Sequence, residues 1–231
     1  MTVAEKLTAI AENEQKVFDA GKKAEYDRFW DAAQNNGSRT IYTYAFAGSS
    51  WRLQNFKPKY DIRPQNASTM FHTTGIGGDL VEILKNCGVV LDTTESTSVA
   101  QMFAYAVNLT RVGVVDTRKA DSLLMLFYGC TAMITIDKLI LKDDGSQNMS
   151  NAFYSVLALK DITIEGKIGY SGLKLDTAQS LTHDSLMSFI NALYDFSATG
   201  GTYTATFGST NLAKLTDAEK AIATERGWTL V

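Results

Sequence analysis

Cysteine and histidine are scarce in this 231-residue chain, which has only Cys87, Cys130, His72 and His183. Without a CxxC pair or a Cys/His cluster, neither a disulfide framework nor a standard zinc site can be assembled from spacing, and both thiols read as buried small hydrophobes. A basic excess is also missing. The 22 Lys and Arg face 25 Asp and Glu for a formal charge of -3, so no broad positive field exists for nucleic acid or an anionic membrane. Long apolar runs are absent too. The opening MTVAEKLTAIAENEQK is charged from Glu5 and Lys6 onward, which excludes a signal h-region or a span there. The expectation is synthesis in the cytoplasm without a signal peptide and no membrane insertion. The sequons beginning at Asn36, Asn66, Asn108 and Asn148 are accordingly read as turn residues. What is present is 45% hydrophobic composition, enough for a core that needs no metal or disulfide.

From Val3 to about Ala33 the pattern is helical, with Val3, Leu7, Ile10, Val17 and Ala24 at steps of three, four or seven. Glu14 and Gly21 interrupt a coiled-coil seam, so the helix is read either as an oligomerisation segment or as a helix whose Val17, Phe18, Tyr26, Phe29 and Trp30 pack on the next domain. Asn35-Asn36-Gly37-Ser38 supplies its stop.

Beyond that stop, a small or apolar residue followed by Phe recurs at Phe46, Phe71, Phe103, Phe127 and Phe153, with spacings of 25, 32, 24 and 26. After three of these come β-rich stretches, Leu109 to Val115, Met133 to Leu141 and Leu159 to Ile164. Before four of them the sequence is polar (PQNASTMF, ESTSVAQMF, RKADSLLMLF, SQNMSNAF), which suits the start of a short helical segment. One helical turn carrying Phe and one strand cannot bury both faces alone, so the units are expected to stack with Phe as core knobs. The reading is an α/β short leucine-rich-repeat-like solenoid with an N-terminal helix and a helical and strand cap. Its parts are a helical extension over 1–37, about five units over 38–179 and a capping region over 180–231. In the cap, a helix from His183 to about Phe196, a strand Thr202 to Phe207 and a capping-box helix from Thr216 to about Arg226 are expected.

The segment LFYGCTAMITI, residues 126–136, resembles the roughly 25-residue unit of BspA-like leucine-rich-repeat proteins. The likeness extends over about residues 40–180, the ending NLAKLTDAEKAIATERGW resembles the segment often attached to such repeats, and the first 31 residues resemble repeat proteins of gut Firmicutes phages and prophages. The resemblance implies a right-handed solenoid and an adhesive or recognition role on a bacterial surface; without a secretion signal it points to a virion component.

No chemistry is legible. His72 and His183 read as surface or packing residues, Asp143-Asp144-Gly145 as a turn rather than a calcium loop, and Gly75-Ile-Gly77-Gly78-Asp79 as the insertion of the long repeat because it lacks a phosphate-loop ending. Arg52, Lys57, Lys59 and Arg63, interleaved with Trp51, Phe56 and Tyr60, read as a solvated strand edge rather than a strand-binding patch. No catalytic, cofactor or metal residue is assigned and no cofactor is expected. The expected function is non-enzymatic recognition of a protein or a cell-surface glycan or receptor, without nucleic acid and with a possible homo-oligomer through the N-terminal helix. Its rivals are a purely structural virion protein and a glycan-active enzyme using Asp176, Asp184 or Asp195.

Overall fold

The computed structural model describes residues 21–231 apart from 22, 26, 50–52 and 54. Most of the expected N-terminal helix, with Trp51 and Arg52, therefore lies outside the described residues. The chain is an α/β protein with two parallel sheets. The first is four-stranded, in the order β1 (Gly78–Asp79), β2 (Leu109–Asp116), β3 (Thr135–Ile140) and β4 (Asp161–Glu165). The second contains β5 (Leu173–Lys174), β6 (Tyr203–Thr206) and β7 (Trp228–Leu230). In both, spatial order matches chain order.

Strands form where β-branched and large aliphatic residues recur, and their inward side chains meet across the sheet. Val112 is opposite Ile136, which is opposite Ile162, and Val115 is opposite Leu139. Each of these five side chains is buried. Residues 27–33, which include Trp30, are helical, and farther along come α1 (Leu80–Cys87), α2 (His183–Ala192), α3 (Ser209–Leu212) and α4 (Asp217–Glu225). The expected capping box is present at Thr216 and Glu219.

The Phe segments differ from the expected helical turns. Each is a run of consecutive turns in which the residues two before and two after the Phe have positive φ: Tyr44 and Gly48, Thr69 and Thr73, Gln101 and Tyr105, Met125 and Gly129, Asn151 and Ser155. This alternation splits the backbone donors into two sets. Within a unit, the N–H just before each Phe closes a turn, as in Met102 to Val99 (3.1 Å) and Leu126 to Leu123 (3.1 Å). The Phe N–H itself donates to the next unit: Phe46 to Met70 O (2.9 Å), Phe71 to Met102 O (2.7 Å), Phe103 to Leu126 O (3.0 Å) and Phe127 to Ala152 O (2.9 Å). A helix would have used those donors internally. The polar residues ahead of the Phe serve local turns instead of helix caps: Asn66 and Asn148 Oδ1 accept from the N–H of Ser68 and Ser150.

The five phenylalanines are at most 1% exposed. Their rings succeed one another at 5.4, 5.3, 5.5 and 5.9 Å. Trp30 packs against the first at 5.8 Å and Phe189 of α2 against the last at 5.3 Å, so the row ends on aromatic side chains from helices at both ends. Buried amides tie the turns together. Gln34 Nε2 donates to Tyr60 O, Gln147 Nε2 to Thr117 O and Ala120 O, and Asn211 Nδ2 to Leu175 O and Phe207 O.

Two further segments depart from expectation. The glycine-rich stretch at 75–79 leads into β1 and α1, whose N-cap Asp79 accepts from Val81 and Glu82 N–H and whose stop is left-handed Gly88. The long spacing between Phe71 and Phe103 is thus occupied by a helix. α2 stops at Ala192 rather than near Phe196, because Leu193 turns extended to bridge Ile168 and Arg226 Nη1 takes the carbonyls of Ile190, Asn191 and Leu193. No helix among the described residues is long and apolar enough to cross a membrane.

Replacing Phe103 by Ala removes the middle ring of the row and leaves a void between two rigid neighbours. Urea denaturation should show a loss of about 3–5 kcal/mol, and a loss under ~1 kcal/mol would contradict a continuous packed row.

Candidate functional site

While the phenylalanines turn inward, one ring-bearing residue one or two places after each of the last four reaches the surface, exposed at Tyr105 and Tyr154 and half-buried at His72 and Tyr128. This places His72, Tyr105, Tyr128 and Tyr154 in a second aromatic row on the surface. The ring centroids are 5.6 Å apart for His72 and Tyr105, 5.1 Å for Tyr105 and Tyr128, and 5.4 Å for Tyr128 and Tyr154. Lys174 Nζ caps the row 5.9 Å above Tyr154. The backbone beneath is the same inter-unit ladder: Thr73 N–H donates to Ala104 O (2.8 Å), Tyr105 to Tyr128 O (2.7 Å) and Gly129 to Tyr154 O (2.9 Å).

Tyr105 is 44% and Tyr154 37% exposed, and Val107 and Leu157 stand exposed beside the row's backbone. The result is a rigid band of ring edges and phenol hydroxyls flanked by aliphatic side chains. The neighbouring Tyr105 side chain raises the Tyr128 hydroxyl above its ordinary pKa. At one end, Ser49, His72, Thr73, Tyr105 and Asn108 line a shallow cavity of about 430 Å³. The band can offer aromatic contact area together with hydroxyl donors and acceptors, the combination enriched at recognition surfaces.

Gly129 positions the band. Its φ is +71°, and a Cβ built there would lie 2.9 Å from Tyr105 Cδ1. The ring of one unit therefore rests on the bare backbone of the next.

Phe46, Phe71, Phe103, Phe127 and Phe153 lie in the interior, and the surface tyrosines beside them are the residues that sequence reasoning does not single out. The available signal is an aromatic residue just after the Phe, as in Phe127-Tyr128 and Phe153-Tyr154, hidden by the one-residue offset of Phe103-Ala104-Tyr105. Lys59 pairs with Asp31, and Arg63 with Asp61 and Asp92, while Phe56 is buried in the core. Asp144 Oδ1 accepts from Ser146 N–H and Oγ–H, making the expected turn. No hydrogen bond or ion pair joins any two of Asp176, Asp184 and Asp195; Asp195 accepts from Ser197 N–H. Among the described residues no group of three or more His, Cys, Asp or Glu side chains is placed to hold a metal. Cys130 is fully buried, donates to Phe103 O at 2.9 Å, and burial pushes its pKa up to about 12. That thiol is held neutral and unreactive.

No family model matches the chain, and neither the curated proteins nor the solved structures contain a match to it.

Gly129→Ala should cost about 1–3 kcal/mol of stability in urea denaturation through its left-handed backbone and the displaced Tyr105 ring; a neutral effect would disprove the close approach. His183 Nε2 lies 2.8 Å from Glu219 Oε1. Glu219 raises the imidazole pKa, while the Thr216 backbone and hydroxyl, joined by His183, lower the carboxyl's. The imidazole contributes stability below its raised pKa and loses it as pH rises through that value; the carboxylate contributes above its lowered pKa and loses it in acid. Native protein should therefore melt above His183→Ala near about pH 6, with the gap narrowing as pH rises through the raised imidazole pKa. A gap that widened with pH would refute the pairing.

Proposed function

We propose that this chain is a non-enzymatic recognition protein, built on a short BspA-type leucine-rich-repeat-like solenoid and associated with a phage, prophage or bacterial surface. The repeat reading is supported by parallel strands in chain order and by the same pair of left-handed residues around every repeat phenylalanine. A unit that satisfies half its turn donors only through its neighbour has no stable form alone, which is the logic of a stacked repeat.

The observation that carries the functional reading is the surface band in which exposed Tyr105 and Tyr154 flank half-buried Tyr128. Each ring is braced by neighbouring rings and backbone, so little rotamer entropy is left to lose on binding. A protein surface is the favoured partner over a glycan. Tyr128 and Tyr154 stack on each other with an interplanar angle of 23°, so their shared faces are occupied, and what remains outward is edges and hydroxyls beside Val107 and Leu157. Sugar rings stack on open aromatic faces; protein side chains pack against edges.

The experiment is binding of the fluorescently labelled full-length chain to a panel of gut Firmicutes, alongside the triple variant Tyr105→Asn, Tyr128→Ser, Tyr154→Ser. Asn suits the left-handed backbone at 105. Binding should fall at least tenfold in the variant while its circular dichroism and cooperative urea transition show a retained fold, and should be lost on protease-treated cells but kept on periodate-treated cells. Equal binding by variant and native protein would remove the band from recognition. Loss with periodate alone would replace the protein partner with a glycan.

A further inference from the structure

The two edges of the four-stranded sheet are each flanked by a helix, and the helices close them differently. At the β4 edge, α2 brings serine hydroxyls to the strand: Ser185 Oγ accepts from Ile162 N–H (2.9 Å) and Ser188 Oγ from Ile164 N–H (2.7 Å). The edge is thereby sealed. At the other edge, β1 pairs with β2 only through Gly78 and Asp79, opposite Leu109 and Arg111. The chain then leaves as α1, which turns Val81 and Leu84 toward β2 and supplies no hydroxyl to it. Val81 lies close to Gly113, where a Cβ would meet its Cγ2 at 3.3 Å.

A cleft of about 500 Å³ remains between α1, residues 88–91 and β2. Four consecutive strand residues, Val112 to Val115, line it. Since alternate residues point to opposite faces, the cleft opens along the strand's edge. Its lining is aliphatic, with Leu84 and Val89 on one side and Val112 and Val114 on the other, and Lys85 is its only ionisable side chain. Lys85 is exposed and forms no ion pair among the described residues. The volume lies within the roughly 300–1,000 Å³ of small-molecule sites.

We propose that this cleft binds a free single-chain carboxylate of medium length, with the alkyl chain along the β2 edge and the carboxylate at the Lys85 ammonium. An aliphatic cleft along a strand edge, with one cation at its lining that forms no ion pair among the described residues, matches an amphiphile of that sign. A neutral alkane would leave the cation unused, and an alkylammonium would be repelled by it. The cleft shares no lining residue with the tyrosine band, so this proposal stands whether or not the recognition reading does.

The test is calorimetric titration of the full-length chain with octanoate, decanoate and dodecanoate below their micelle concentrations, with decanol and phosphatidylglycerol vesicles as comparisons. Saturable one-to-one binding is expected, strengthening about fourfold per added methylene. Lys85→Gln should weaken decanoate by about fivefold or less while leaving decanol unchanged. Val114→Trp, at a half-exposed mouth position, should abolish binding with the urea midpoint preserved. Absence of saturable binding, equal affinity of the native chain for decanol and decanoate, full binding by Val114→Trp, or binding to vesicles without binding to the monomeric carboxylates would each overturn the proposal.

Discussion

The structure depends on where the N–H groups of the Phe segments go. Left-handed residues two places before and after each Phe reverse the direction of alternate peptide groups. One set of donors then closes turns within a unit and the other reaches the carbonyls of the next. Eight of the ten flanking residues are not glycine: Tyr44, Thr69, Thr73, Gln101, Tyr105, Met125, Asn151 and Ser155. Each costs about 1–2 kcal/mol in that conformation. The strain persists because relaxing any one of them would strand buried backbone donors, at a comparable cost per group, and would swing a Phe out of the interior row. Local strain and long-range stacking thus hold each other in place.

Much of this is legible in the sequence, but at one level only. The Phe series, the strands around Val112, Ile136 and Ile162, and the Thr216 capping box are side-chain patterns, and patterns of burial and capping can be read from residue type. The turn geometry has no such signature. Gln101 and Met125 occupy the same left-handed position as Asn151, and only the asparagine is a residue that favours it. Short polar stretches before the Phe therefore resemble helix starts. α1 is hidden because its N-cap Asp79 closes a glycine-rich stretch that reads as loop, while Leu193 continues the apolar stripe of α2 and only the distant Ile168 and Arg226 tell the helix to stop.

The tyrosine band and the cleft relate differently to the spacing of the phenylalanines. Whether the spacing is 32 residues, from Phe71 to Phe103, or 24 and 26, from Phe103 to Phe127 to Phe153, the surface rings succeed one another, at 5.6 Å for His72 and Tyr105 and at 5.1 and 5.4 Å along Tyr105, Tyr128 and Tyr154. Where it is 32, from Phe71 to Phe103, the extra residues lift the chain off the sheet as α1 and leave the β2 edge uncovered. The row of rings runs on past the insertion; the insertion builds the concavity.

Rigidity links these features to the proposed recognition role. A surface tyrosine on a loop must be ordered by its partner, and that ordering is subtracted from affinity. Tyr105 is already fixed by its backbone bond to Tyr128, by the bare backbone of Gly129 and by flanking rings. The strain held at its left-handed φ is offset by folding before any partner arrives. The same ladder that hides Phe103 in the interior therefore sets the orientation of Tyr105 outside, so a change in core packing that shifted one unit against the next would displace the band with it.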